Sequence, residues 1–305
     1  QNYHEFEVVV VNDRSYDGTH DWLFEYEKQH EKLSFVSLND DQLQLRPGKK
    51  FGLTMGIKKA KHEIVALIDA DCRPISNEWL KHIGSQHSDT KKIVLGYSPY
   101  EPAKGVLNLF IRFEAFWVAW QYLSLAILGR PYMAVGRNLS YRKQLFFDNK
   151  GFANHMHIPF GDDDLLIQEI ANAKNTNITI MEPGQILSKP KNNFRNWLQQ
   201  KQRHLAASAH YRLLDKLLLG TIWFAQVAAF AILIIWIFSQ PFAYLIPCLA
   251  FAILLLWTML ALVLQQKFKM FKAWYAFAFL QIVYQLILLP TFSLMGLLNP
   301  PKRKW

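Results

Sequence analysis

Residues 64–72 read Ile-Val-Ala-Leu-Ile-Asp-Ala-Asp-Cys. The apolar run Ile64 to Ile68 predicts a buried strand, and that strand delivers Asp69 and Asp71 into the loop at its carboxyl end. In a sheet of parallel strands joined by helices, this is the end at which ligands bind. Two carboxylates there, one residue apart, are spaced to share a divalent cation or to divide metal and ribose between them. The chain upstream has the same grammar. Glu7-Val8-Val9-Val10-Val11 reads as a strand ending in Asn12-Asp13, and Asp17-Gly18-Thr19 turns the chain into a helix with Trp22, Leu23 and Tyr26 on one face. Phe35 to Leu38 is a second short strand. Arg46-Pro47-Gly48-Lys49-Lys50 leads into a helix from about Phe51 to Lys61. Alternating strands and helices predict an α/β domain built on a mostly parallel sheet.

Downstream, Val106 to Leu128 mixes Phe110, Phe113, Phe116, Trp117 and Trp120 with Arg112 and Glu114. This reads as a helix lying in a membrane interface, with an ordinary buried helix as the other reading. Gly161-Asp162-Asp163-Asp164-Leu165-Leu166 opens a further helix that continues through Ile167 and Ile170. Acids in a first helical turn complement the helix dipole and cap free amides, so this run alone does not identify a catalytic group. Gly136-Arg137-Asn138 precedes a short apolar-basic run.

Charge is distributed unevenly. The chain has 34 Lys and Arg against 24 Asp and Glu, a net +10, yet Leu217 to Phe238, Pro241 to Leu264 and Ala273 to Leu298 contain none of the four. Each stretch reaches the ~20 apolar residues needed to cross a bilayer. Pro290, in mid-segment, predicts a kink or break in the third, leaving two or three hydrophobic helices. Residues 1–212 are therefore expected to form a soluble domain and residues 213–305 a membrane region. The basic residues gather where the two meet, at Arg195, Lys201, Arg203, Arg212 and Lys216, and again at Lys267, Lys269 and Lys272. That placement favours anionic membrane lipid over nucleic acid and sets the soluble domain on the cytoplasmic side. A multi-pass cell-membrane protein is expected. Cys72 and Cys248 are too few for a disulfide framework, and the opening on Gln1 followed by an interior strand leads us to expect a domain that lacks its amino-terminal unit.

Taken in order, Asn12-Asp13-Arg14-Ser15-Tyr16-Asp17-Gly18-Thr19, Gly48-Lys49-Lys50, Asp69-Ala70-Asp71, Gly161-Asp162-Asp163 and Gln200-Lys201-Gln202-Arg203-His204 resemble glycosyltransferase family 2. The resemblance implies a GT-A fold, lacking here its first strand and helix. It implies transfer of a hexose, with inversion, from a nucleoside diphosphate-sugar, UDP-sugar foremost, with Mg2+ or Mn2+ as cofactor. On the matching positions it implies that Asn12 and Asp13 contact the nucleotide and that Lys49 or Lys50 lies near the donor phosphates. Asp71 would bind metal, and Asp69 would support metal, ribose or donor sugar. Asp163, or Asp162 in another register, would be the general base, and Gln200 and Arg203 would bind the diphosphate. His204 stands where the membrane-associated members have Trp, at the acceptor. Gly136 and Asn138 would also adjoin the acceptor, a lipid or a glycan of cell-envelope polysaccharide or glycolipid synthesis. The competing readings are a metal-dependent nucleotidyltransferase, which also sets acids at strand ends, and a non-catalytic membrane scaffold.

Overall fold

The computed structural model describes residues 1–38, 48–239 and 277–298, with residues 247, 248, 251, 252, 255 and 259 individually. Strand β1 (Val8–Asp13) and strand β2 (Leu33–Leu38) form a parallel pair, from Val8 opposite Leu33 to Asp13 opposite Leu38. Helix α1 (Thr19–Gln29) connects them. Only Leu23 of its expected apolar face is buried; Trp22 is exposed and stacks on Tyr26 at 4.7 Å. Helix α2 (Lys49–Lys59) lies against β1, and a Cβ at Gly56 would meet Val11 at 2.8 Å. Glycine there is what permits the close approach. Lys50 is buried in the same helix and donates to the carbonyls of His155 and Ile158 at 2.7 and 3.0 Å.

The central sheet has the order β3 (Ile64–Leu67), β6 (Leu139–Arg142), β5 (Ile93–Gly96), β7 (Thr176–Thr179). Strand β5 is parallel to β7, whereas β6 runs antiparallel to both β3 and β5. The sheet is mixed but mostly parallel, as expected: β3, β5 and β7 run one way, and only β6, a strand of four residues, returns between β3 and β5. Strand β4 (Cys72–Pro74) pairs antiparallel with β8 (Ile186–Ser188). Helix α3 (Trp79–Ser85) separates β4 from β5. All four residues of β5 are buried, and Ile93, Val94 and Leu95 have no exposed surface.

The 106–128 segment corrects the sequence expectation. It is helix α4 (Val106–Ile127), and twelve of its side chains are buried inside the protein, among them Phe113, Phe116, Trp117 and Trp120. Tyr122 donates to the Gly96 carbonyl at 2.8 Å, fixing α4 to the sheet. An aromatic helix covered on several sides is a core helix, not an interfacial one. Helix α5 (Lys143–Asp148) follows β6, α6 (Asp164–Ile170) follows the acidic run, and α7 (Phe194–Ser208) carries Gln200, Arg203 and His204.

Helix α8 (Leu213–Ser239) is the one helix among the described residues long and apolar enough to cross a membrane, over Leu213–Ile232. Its first turn is tied to the domain by Asp215, which is buried and accepts from Arg130 Nε at 2.8 Å. The expected 241–264 span lies outside the described residues, apart from isolated positions, as do the basic residues 267, 269 and 272. Around Pro290 the helix is continuous but irregular. Helix α9 (Phe277–Val283) runs through a π-helical turn (Tyr284–Leu288) into α10 (Leu289–Leu298). In that turn the Leu289 amide is taken by the Tyr284 carbonyl, and proline has no amide to offer. The Gln285 carbonyl therefore lacks a helical donor, and Trp223 Nε1 of α8 supplies one at 3.1 Å.

Candidate active site

Asp69 and Asp71 leave the end of β3 as the sequence predicts, with Asp69 partly covered and Asp71 exposed. A carboxylate oxygen of each and Cys72 Sγ lie within 4.8 Å of one another. Cys72 is held as a thiol, since burial pushes its pKa up to about 11, and it donates to Asp71 Oδ1 at 3.4 Å. Two hard carboxylates remain as anionic donors, a set that fits Mg2+ or Mn2+.

Lys49 joins this pair to the acidic run. Its Nζ lies 3.2 Å from Asp69 Oδ1 and 3.0 Å from Asp162 Oδ2. Burial alone would lower its pKa, but Asp162, Asp69 and Asp163 outweigh that and hold it above the ordinary lysine value. Lys49 is a fixed cation between two acid clusters. Lys50, by contrast, points away into the 155–158 loop, so of the two candidate lysines only Lys49 faces the cleft.

The three consecutive acids have three different partners. Asp162 pairs with Lys49. Asp164 is buried and accepts from the Tyr211 hydroxyl, and burial, then the charge of Asp163, pushes its carboxyl well above the usual carboxylate range. Asp163 begins α6, its Oδ1 accepting from the Asp164 amide at 2.9 Å and its Oδ2 from the Gly136 amide at 2.7 Å. A Cβ at Gly136 would stand 3.1 Å from Asp163 Oδ2, so Gly136 anchors the carboxylate. Burial, then the charge of Asp162, raises the Asp163 pKa to about 6 against the opposing pull of Lys49 and the two amides. This carboxylate is ionised at neutral pH but close enough to neutrality to take a proton. For a raised carboxyl the stabilising contribution is present at low pH and is lost as pH rises through about 6, so the ionised form costs the fold stability.

Two further expectations change. Asn138 does not face the cleft: it is buried, its Nδ2 donating to the Tyr97 and Gly184 carbonyls at 2.7 and 2.9 Å and its Oδ1 accepting from Trp79 Nε1 at 3.3 Å. Asn138→Ala leaves those three groups without their partner, an expected loss on the order of 2–4 kcal/mol. A melt of the full chain beside the parent, at unchanged donor KM, checks it. Asn12 likewise spends both ends of its amide on the protein, donating to Ser37 Oγ at 3.2 Å and accepting from the Ser15 amide at 3.3 Å. It shapes the loop that presents Asp13, whose carboxylate meets Arg14 Nε at 3.1 Å.

Between Gly136 and Asn138 sits Arg137, which the motif reading passed over. Its Nε and one terminal nitrogen reach Ser98 Oγ and O at 2.7 and 3.2 Å, and its guanidinium lies 4.8 Å from the Tyr100 ring centre. Burial alone would lower its pKa, but Tyr100, Cys72 and Asp69 outweigh that and raise it above the ordinary arginine value. Gln200 Nε2 reaches the hydroxyl of the same Tyr100 at 3.2 Å. Arg203 is half-buried, and burial lowers its pKa. His204 retains solvent access, yet desolvation by its surroundings, then the cations Lys201, Arg137, Arg203 and Lys49, lower its pKa well below the usual imidazole value. Helix α7 thus brings His204 within electrostatic reach of Lys49 and Arg137. Together these are paired carboxylates for a cation, fixed cations for an anion, and one poised carboxylate.

The family model described as "Glycosyl transferase family 2" matches residues 1–146. A poly-beta-1,6-N-acetyl-D-glucosamine synthase of Staphylococcus epidermidis is 38% identical over 69 residues, 23% of this chain and 15% of that relative. Among solved structures, a mannosyltransferase from Pyrobaculum calidifontis in complex with GDP-Man and Mn2+ superposes with a TM-score of 0.57 at 18% identity, covering 96% of this chain and 78% of the other. S. aureus TarS 1-349 in complex with UDP gives 0.44 at 19% identity, covering 79% and 66%. The fold is of the GT-A α/β type.

Proposed function

We propose that this chain, which carries a glycosyl transferase family 2 domain over residues 1–146, is a metal-dependent inverting glycosyltransferase anchored to a membrane by α8. The observation that carries the reading is Lys49, which bridges Asp69 of the cation pair and Asp162 of the acidic run at 3.2 and 3.0 Å. It makes one cleft of two acid clusters that the sequence separates by about ninety positions.

In this reading Asp69 and Asp71 would hold Mg2+ or Mn2+, which would neutralise charge building on the diphosphate as it leaves. Lys49, Arg137 and Arg203 surround the same diphosphate, and Asp13 meets the nucleoside at the end of β1. Asp163 accepts the proton of the acceptor hydroxyl as that oxygen attacks the anomeric carbon from the side opposite the leaving group. The Gly136 amide keeps that carboxylate in place, and Asp162 is kept from competing for the role by its pairing with Lys49. A single in-line displacement inverts the anomeric centre.

We propose a UDP-sugar as donor, with a GDP-sugar as the alternative that the Pyrobaculum structure suggests. The acceptor is proposed to be lipid-linked or a polysaccharide, since α8 would hold the cleft near the bilayer. The domain would face the cytoplasm of a cell-membrane protein. Product analysis tests the reaction class: full chain in membranes, with Mn2+, a panel of UDP- and GDP-sugars and a membrane lipid extract, is expected to release nucleoside diphosphate. Pyrophosphate as product would point to nucleotidyl transfer and overturn the reading.

A further inference from the structure

Lys201 follows Gln200 on α7, yet its side chain leaves the cleft. It is buried, and its ammonium lies 2.7 Å from Glu114 Oε2. Glu114 is 3% exposed, in the middle of α4. The same Oε2 accepts from Trp197 Nε1 at 3.1 Å, and Oε1 accepts from the Tyr284 hydroxyl, in the π-helical turn, at 3.4 Å. Trp197 also packs edge-on against Phe292 of α10 at 5.2 Å. One carboxylate therefore joins the core helix, the helix that carries the cleft residues, and the carboxyl-terminal helix.

A buried ion pair is a poor device for stability alone, because the cost of dehydrating both ions offsets most of their attraction, and apolar residues of like volume often serve as well. What it supplies is register. An apolar face lets a helix roll or slide, whereas a cation that must reach one carboxylate fixes rotation and height together. A slip of one residue turns a helix by about 100°, which would carry Gln200 off the Tyr100 hydroxyl and take Arg203 and His204 with it. Among the described residues Gln200 is held by that hydroxyl, and its Oε1 is buried without a partner. Its orientation depends on where the helix is set.

We propose that Glu114 and Lys201, with Trp197 and Tyr284, are the positioning residues of the substrate cleft: they set α7 so that Gln200, Arg203 and His204 face the donor, and they make residues 277–298 a working part of that site. The inference rests on the nucleotide-sugar reading above.

Removing one partner would strand a buried charge and endanger folding, so the test uses Glu114→Gln with Lys201→Met together, which removes both charges and keeps the shape. Full chain in nanodiscs with Mn2+ is titrated with UDP and GDP by calorimetry, beside a melt and steady-state kinetics on the responsive donor. The expected result is a folded protein whose nucleotide affinity falls on the order of tenfold, with donor KM rising by a like factor and kcat within about threefold. Tyr284→Phe alone should move KM in the same direction by less. A double variant with lowered Tm but nucleotide affinity and KM within about twofold of the parent would reduce the pair to a structural staple and overturn the proposal. A parent that binds neither nucleotide would instead overturn the underlying reading, and the proposal with it; that failure is seen in the parent, the other only in the variant.

Discussion

Asp163→Asn is expected to lower kcat by ~10²–10⁴-fold, the usual range for a positioned general base, while leaving nucleoside diphosphate binding near its parent value. The expectation follows from the carboxylate's surroundings. It is clamped by the Gly136 and Asp164 amides, and burial beside Asp162 raises its pKa to about 6. A base must be ionised to act, so kcat/KM of the parent should rise through an acid limb near pH 6 and level off above it. That limb should vanish from the residual rate of the variant. Asp162→Asn is the control. Because Asp162 is tied to Lys49 at 3.0 Å, its loss should weaken donor binding more than it lowers kcat. A pH profile of each variant against the parent separates the two acids, and an unchanged acid limb in Asp163→Asn would remove Asp163 from the role.

The second large effect is expected at the cation pair. Asp71→Ala takes one of two hard anionic donors from the group formed with Asp69 and Cys72. The remaining acid, already paired with Lys49 at 3.2 Å, is a poor cation ligand by itself. Stimulation by Mn2+ should disappear at millimolar metal, and turnover should fall by ~10²-fold or more, the scale of a lost electrostatic stabiliser of the leaving group. Titrating Mn2+ by its electron paramagnetic resonance signal, with and without UDP, reads the same site without turnover. Retention of tight Mn2+ binding by the variant would place the metal elsewhere.

Strand ends were legible in the sequence because they depend on local pattern. The apolar run 64–68 and the two acids after it needed only a period and a polarity change, and β1, α2 and β3 stand where that pattern puts them. What stayed hidden was non-local. Strand β6 reads Leu-Ser-Tyr-Arg, too short and too mixed to announce a strand, and it becomes one through its neighbours β3 and β5. The aromatic α4 looked interfacial because the sequence does not reveal that α7 and the 277–298 helix cover it; Glu114, an oddity in an apolar helix, was the trace of that cover. The triple acid run could not be divided by spacing, since its roles are set by Lys49, Gly136 and Tyr211, which lie far away in sequence. Asn138 and Lys50 were placed in the cleft by motif order, but each is polar for the sake of buried carbonyls. Arg137 was overlooked although a basic residue flanked by two candidates was a usable signal. Pro290 predicted a kink or break, and the helix there is irregular but continuous, with a π-helical turn and a tryptophan donor at the site.

The account stands or falls on whether one cleft, built from Asp71, Lys49 and Asp163, moves a sugar. The direct measurement is nucleoside diphosphate release by the full chain in membranes with Mn2+, over a panel of UDP- and GDP-sugars with membrane lipid extract as acceptor, beside Asp71→Ala and Asp163→Asn. Release supported by one donor and lost in both variants is the predicted result. Release from no donor, or release that both variants retain, would contradict it.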